Sequence, residues 1–178
     1  MSAANKSQIF LFLLGVAAGI IIYFLVSQLL SISPASIQTI FSPENGDEII
    51  SFIDSAKQSL DIEMYVFTSD EILKALKRAS DRGVAIRIIL EKRVINSDNQ
   101  KNYNELKVYG INVKWASQEY ALTHAKFMIL DGKIVLVGSH NFSEHAMYKN
   151  REASVIIQAA NAVSDFKKVF EEDWIKAN

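Results

Sequence analysis

Cysteine is absent from the 178 residues. That excludes disulfides, cysteine-based zinc sites and thiol catalysis together. Charge is also missing from the first 43 residues, where Lys6 is the only ionised side chain. The other 18 Lys/Arg and all 20 Asp/Glu follow from Glu44 onward, so the polar part carries a net charge of −2. It therefore lacks the strong basic excess by which bulk electrostatics would point to nucleic acid. What is present has a globular profile, with 49% apolar and 22% charged residues. The length fits one domain plus an appendage.

The appendage is the uncharged run Ile9–Leu30, IFLFLLGVAAGIIIYFLVSQLL. A membrane-spanning helix needs about 20 apolar residues, and this run supplies them. It is apolar all round, unlike a surface helix with one buried stripe. The expected reading is an uncleaved membrane anchor through residues 9–30. A cleaved signal peptide is the alternative, because Ser33-Pro34-Ala35 offers small residues for a leader peptidase. With Lys6 before the span and acidic residues after it, the amino terminus is expected in the cytoplasm and the polar domain outside. Cleavage would instead leave that domain secreted or periplasmic. The expected boundaries are 1–33 for the anchor and 34–178 for the domain.

After a linker at Ser31–Ser42 the pattern alternates. A first strand is expected near Ile37–Phe41 and a helix through Ile49, Ile53, Ala56 and Leu60. Leu60, Ile62, Met64 and Val66 alternate with Asp61, Glu63, Tyr65 and Phe67, as in a strand. Thr68 and Glu71 suggest a capping box for a helix that stops at Gly83. Val84–Leu90 is an apolar, β-branched strand. Residues 98–108 form a polar-faced helix, and Ile111–Trp115 a short strand. Phe127–Leu130 and Ile134–Val137 flank Asp131-Gly132, a strong two-residue hairpin signal. Ala153–Gln158 and Ala162–Lys176 complete the chain as strand and helix. Together they describe an α/β domain whose mixed β-sheet is sandwiched between helices.

The chemistry gathers in Leu122–Asn141, LTHAKFMILDGKIVLVGSHN. Alternation puts His124 and Lys126 on one face of a strand. If Leu130 pairs with Lys133, Ser139 lies opposite His124, and Asn141 follows two residues on. An imidazole, an ammonium, a hydroxyl and an amide then share a face. A slip of one residue would undo that register. Asp131 sits in the turn, at odd spacing from His124, and is expected to be structural.

These residues resemble a known pattern. His124-Ala-Lys126, four residues, Asp131, then Gly138-Ser139-His140-Asn141 is similar to the HxKxxxxD…GSxN signature of the phospholipase D superfamily. Asn150-Arg151-Glu152 resembles its later N-x-E element. Phe41-Ser42-Pro43, Met64–Thr68 and Arg82-Gly83-Val84 resemble other landmarks, so the likeness covers about residues 37–175. The resemblance implies the phospholipase D/nuclease fold and a phosphodiesterase that needs no metal or cofactor. In that chemistry one imidazole attacks phosphorus, giving a phosphohistidine. A second histidine protonates the leaving oxygen and later activates water. Lys126, Ser139 and Asn141 would stabilise the charged phosphoryl centre, and Glu152 would orient the nucleophilic imidazole. Larger members carry two HxK motifs, whereas this chain has one. The resemblance, with its bacterial Nuc-type and mitochondrial membrane-anchored single-motif members, therefore implies a homodimer sharing one active site.

Plainer readings apply elsewhere. His140 and His145 fit no catalytic position and read as loop or surface residues. Tyr65 and Phe67 read as core, and Lys92-Arg93, Lys101 and Lys107 as solvated charge. Asn150 and Arg151 read equally as positioning residues or loop polar groups. The likeness to small endonucleases favours a nucleic-acid substrate. The anchor and slightly acidic balance favour the alternative, phospholipid headgroups, for which Met147-Tyr148 or Tyr120-Ala121-Leu122 would supply an apolar approach. A third reading is a non-catalytic, membrane-bound phosphate-binding scaffold.

Overall fold

The computed structural model describes residues 3–29, 35–94 and 99–178. The chain divides into two units, Met1–Pro34 and Ala35–Asn178. The first holds one helix, α1 (Ala3–Leu29). Its segment Ser7–Phe24 is long and apolar enough to cross a membrane, a property that signal sequences share. The expected linker falls partly on residues 30–34, and the expected start of the 98–108 helix on residue 98, all outside the described residues.

The second unit contains β1 (Ser36–Phe41), α2 (Asp47–Asp54), β2 (Ser59–Met64), α3 (Asp70–Asp81), β3 (Ala85–Leu90), α4 (Gln100–Val108), β4 (Asn112–Trp115), β5 (Lys126–Leu130), β6 (Ile134–Gly138), α5 (Glu144–Tyr148), β7 (Ala153–Gln158) and α6 (Ala160–Lys176). The strands form one sheet in the order β1-β7-β6-β5-β2-β3-β4. Strands β2, β3 and β4 run parallel, and the other pairs are antiparallel. The mixed sheet expected from the hairpin is therefore present. Its alternation sends Leu60, Ile62, Met128, Leu130 and Leu136 into a core with α2, α3 and α4. It sends Phe127, Ile129 and Val135 to the opposite face, against Val163 and Phe170 of α6.

Local details depart from expectation for physical reasons. Ser69, not Thr68, caps α3, its hydroxyl accepting from the Ile72 N–H at 3.3 Å. The short helix α5 was not legible in the sequence; Ser143 caps it through the Ala146 N–H. In the β5–β6 hairpin, Asp131 (φ 52°) and Gly132 (φ 62°) make the expected tight turn, and the Lys133 N–H donates to the Leu130 carbonyl at 2.9 Å. Lys133, however, stands outside the ladder. Leu130 pairs with Ile134 and Phe127 with Val137, so the register lies one residue away from the expected one. The expected pairing would have set the Lys133 side chain beside Leu130 on a helix-covered face. Bulging it out leaves its ammonium exposed and fills the row with Ile134 instead.

One buried acid stands out beneath α6. Glu63 is 3% exposed, and its Oε2 finds no protein partner. Burial first, and then the facing Asp173 carboxylate, push its pKa up to about 8. A folded-state pKa above the ordinary value of 4.5 means stability is lost as pH rises from about 4.5 to about 8. Glu63→Gln removes that loss. Urea unfolding should show the variant gaining on the parent across this window and holding a constant lead above it. A pH-independent difference would contradict the assignment.

Candidate active site

His124 and Lys126 lie where β5 begins, and the structure brings them into contact. The Lys126 Nζ donates to the His124 carbonyl at 2.9 Å and stands 3.3 Å from the ring Nδ1 and 3.5 Å from Nε2. The imidazole packs on the Tyr65 ring, with centroids 4.3 Å apart, and Nζ lies 5.2 Å from the same ring. Lys126 is 8% exposed. Burial lowers its pKa, and the nearby Glu152 charge opposes that shift. Burial and then the Lys126 charge likewise lower the pKa of His124. The result is an exposed imidazole biased toward its neutral, nucleophilic form beside a poorly hydrated cation.

The other expected site residues arrive by a different route from the one the hairpin suggested. The shifted ladder runs from Leu130–Ile134 to Phe127–Val137, and His124 and Ser139 both lie beyond it. Ser139 instead donates to the Glu152 carboxylate at 2.5 Å and accepts from the Ala153 N–H at 3.0 Å. Asn150 donates to the other Glu152 oxygen at 3.1 Å. Asn141 accepts from the Val66 N–H at 3.3 Å, next to Tyr65. Among the described residues no hydrogen bond joins Glu152 to His124; its carboxylate is held by Ser139 and Asn150. Asp131 turns away from this cluster. It accepts from the N–H groups of Lys57, Gln58 and Ser59, at 3.2, 2.7 and 2.9 Å, and pins the chain before β2 to the hairpin. Burial would raise its pKa, but these bonds outweigh that and lower it.

Several surroundings were missed or misread. His140 is 2% exposed, not a surface residue; its Nδ1 lies 2.7 Å from the Ser154 hydroxyl, while Nε2 has no protein partner. Gly138 is required here, because a Cβ would collide with Ser154 and the Ala153 carbonyl. Phe67 is core, set edge-on against Phe142. Arg151 pairs with Glu44, and Lys101 with Asp70. The segment between β4 and β5 has no regular structure, and a buried clasp holds it. Glu91 accepts from the Thr123 N–H, immediately before His124, at 2.7 Å. It also binds the Arg93 guanidinium, which reaches the Tyr120 and Ser117 carbonyls. Burial would raise the Glu91 pKa, but these donors keep it low. A lone Glu-Lys-Arg run after a strand carries no sequence signal for this clasp.

A cleft of about 430 Å³ opens on the α6 side of the sheet, lined by His124, Phe127, Val137, Phe166 and Val169 among others. It adjoins the imidazole and is largely hydrocarbon. Of the two apolar approaches expected from sequence, Tyr120-Ala121-Leu122 has its Tyr120 exposed, but Met147-Tyr148 is not formed as imagined. Met147 is fully buried, and the Tyr148 hydroxyl is bound to Asp47 and Glu71.

The family profile "Cardiolipin synthase, PLD-like domain" matches residues 49–174. A phospholipase D of Rickettsia prowazekii is 31% identical over 138 residues, covering 76% of this chain and 65% of that protein. The mitochondrial cardiolipin hydrolase of Chlamydomonas reinhardtii is 26% identical over 133 residues, covering 75% and 59%. This chain thus spans less than two thirds of the length of these relatives. The crystal structure of Nuc from Salmonella typhimurium, a phospholipase D family member, superposes with a TM-score of 0.76 at 31% identity, covering 81% of this chain and 97% of Nuc. NucT from Helicobacter pylori shares the fold, with a TM-score of 0.73 at 23% identity, covering 80% of this chain and 98% of that one. The chain belongs to the phospholipase D-like family.

Asp131 and Glu91 should separate stability from positioning. Asp131→Ala is expected to cost about 2 kcal/mol of stability by denaturant titration, with turnover of the folded fraction retained. Glu91→Gln should leave the circular dichroism unchanged while turnover falls by about tenfold or more, because His124 is then loosely held. Equal turnover in the parent and Glu91→Gln proteins would remove the clasp from any role at the site.

Proposed function

We propose that this protein is a metal-independent phosphodiesterase that acts through a phosphohistidine, with nucleic acid as its substrate. The observation that carries this reading is the imidazole of His124, biased toward neutrality and packed on the desolvated Lys126 ammonium. A nitrogen of His124 attacks phosphorus and forms an N–P bond as the P–O bond to the leaving group breaks. The leaving oxygen takes a proton from a second imidazole. That imidazole then accepts a proton from water, whose oxygen attacks phosphorus and releases His124. Lys126, with Ser139 and Asn141, stabilises charge on the phosphoryl oxygens. Glu152 orders Ser139 and balances the lysine charge.

One chain supplies one such motif, so the second imidazole and second lysine come from another copy in a two-fold dimer. In this reading residues 34–178 are the catalytic domain, and residues 1–33 tether it to a membrane with the domain outside the cytoplasm. The resemblance to Nuc, which nearly the whole of that shorter chain shares, supports nucleic acid. The apolar cleft beside His124 supports the second reading, a phospholipid substrate whose hydrocarbon occupies it.

Two experiments test this reading. Hydrolysis of single-stranded oligonucleotides in EDTA should be present in the parent and lost by a factor of at least about a thousand in His124→Ala. Release of headgroups from phospholipid vesicles without nucleic-acid cleavage would favour the second reading, and no turnover of either would leave a phosphate-binding scaffold. For the shared site, parent and His124→Ala chains are unfolded together, mixed and refolded. Activity should then fall as the square of the parent fraction, and a linear fall would rule out sharing.

A further inference from the structure

At the β4 corner of the sheet two aromatic rings make a surface stack that the proposed chemistry leaves unused. Trp115, the last residue of β4, and Tyr103, on α4, lie face to face with centroids 4.0 Å apart and planes inclined by only 7°. Both rings are half-buried, so their inner edges pack on the core while part of each meets solvent. An exposed lysine lies near each ring: Lys92 Nζ is 5.9 Å from the Trp115 centroid, and Lys107 Nζ is 5.7 Å from that of Tyr103. Among the described residues neither lysine is in an ion pair, whereas the neighbouring Arg93 and Lys101 are neutralised by Glu91 and Asp70. The sequence reading of one solvated charge run therefore divides into two neutralised cations and two uncommitted ones.

The stack also lies at the same end of the sheet as the site. The ladder pairs Trp115 with Leu90, Leu90 with Met64 and Met64 with Lys126. Three strand spacings, about 14 Å, thus separate the Trp115 and Lys126 positions along one row. A nucleobase presents a flat π-face, and the strand that carries it brings a phosphate to each base. A ring with an ammonium that is in no ion pair over its face matches both, once the ammonium moves from the face to the phosphate. A lipid headgroup has a phosphate but no base to stack.

We propose that Trp115, backed by Tyr103 and flanked by Lys92 and Lys107, is a base-stacking subsite for single-stranded nucleic acid, a few nucleotides from the scissile phosphate. The subsite deepens the nucleic-acid reading above and rests on it for its connection to catalysis, though not for binding. On occupation, Lys92 leaves the indole face and pairs with a backbone phosphate.

Binding is measured by fluorescence anisotropy of a labelled oligodeoxythymidine on the full-length, detergent-solubilised His124→Ala protein, which cannot cleave it. Adding Trp115→Ala should weaken binding by about tenfold or more. Trp115→Phe, which keeps a ring at the half-buried position, should lose less. Lys92→Glu should weaken binding and flatten its salt dependence. With His124 intact, Trp115→Ala should hydrolyse bis(p-nitrophenyl) phosphate as the parent does, since that small diester reaches only the reacting centre. Unchanged oligonucleotide affinity in all three variants overturns the subsite. So does a parent that cleaves the small diester but binds no single strand. Trp115-dependent binding to anionic phospholipid vesicles, without oligonucleotide binding, also overturns it and makes the stack an interfacial anchor. Trp115-dependent oligonucleotide binding without His124-dependent hydrolysis keeps the subsite and removes the phosphodiesterase reading.

Discussion

Lys126 carries an ammonium group where water scarcely reaches it, and the rest of the site is arranged around that fact. A desolvated cation needs compensation. Here it comes from the His124 carbonyl, the Tyr65 ring face and the nearby Glu152 charge. Burial, and after it the same cation, depresses the basicity of the imidazole lying 3.3 Å away. One contact thus couples the charge of Lys126 to the protonation of His124. Both depend on the strand that enters the sheet at Lys126, between β2 and β6.

That contact requires the backbone before β5 to be held, and the fold does this from two sides. The Glu91–Arg93 clasp grips the segment at Thr123, Tyr120 and Ser117 from the end of β3. From α6, Lys176 pairs with Glu119. Asp131, at the far end of β5, ties the hairpin to the start of β2. The motif aspartate therefore anchors the strand, and among the described residues no hydrogen bond joins it to His124 or Lys126.

The two faces of the sheet have different characters near His124. On the α6 side there is a hydrocarbon cleft, and at the β4 corner an aromatic stack with two uncommitted lysines. The net charge of the domain does not reveal them. Among the described residues eight of the 18 Lys/Arg after Glu44 are in ion pairs, and a net charge does not say where the others lie.

What the sequence determined by itself was whatever depends on local spacing. The apolar run of α1, the strand–helix alternation and the closeness of His124 to Lys126 all follow from periodicity, spacing and side-chain type. So did the tight turn at Asp131-Gly132. What it could not determine was anything requiring two distant segments to choose each other. Both hairpin registers presented apolar residues to both faces; only the covered sheet expelled Lys133, and only the fold brought Ser139 to Glu152. His140 and Glu91 look like surface polar residues in the sequence. Packing buried both and gave Ser154 and Thr123 as their partners, 14 and 32 residues away. The stack of Tyr103 on Trp115 likewise joins a helix to an edge strand. Tertiary structure decided these because burial is a property of the assembled layers, and it alone sets which polar groups must find partners and where.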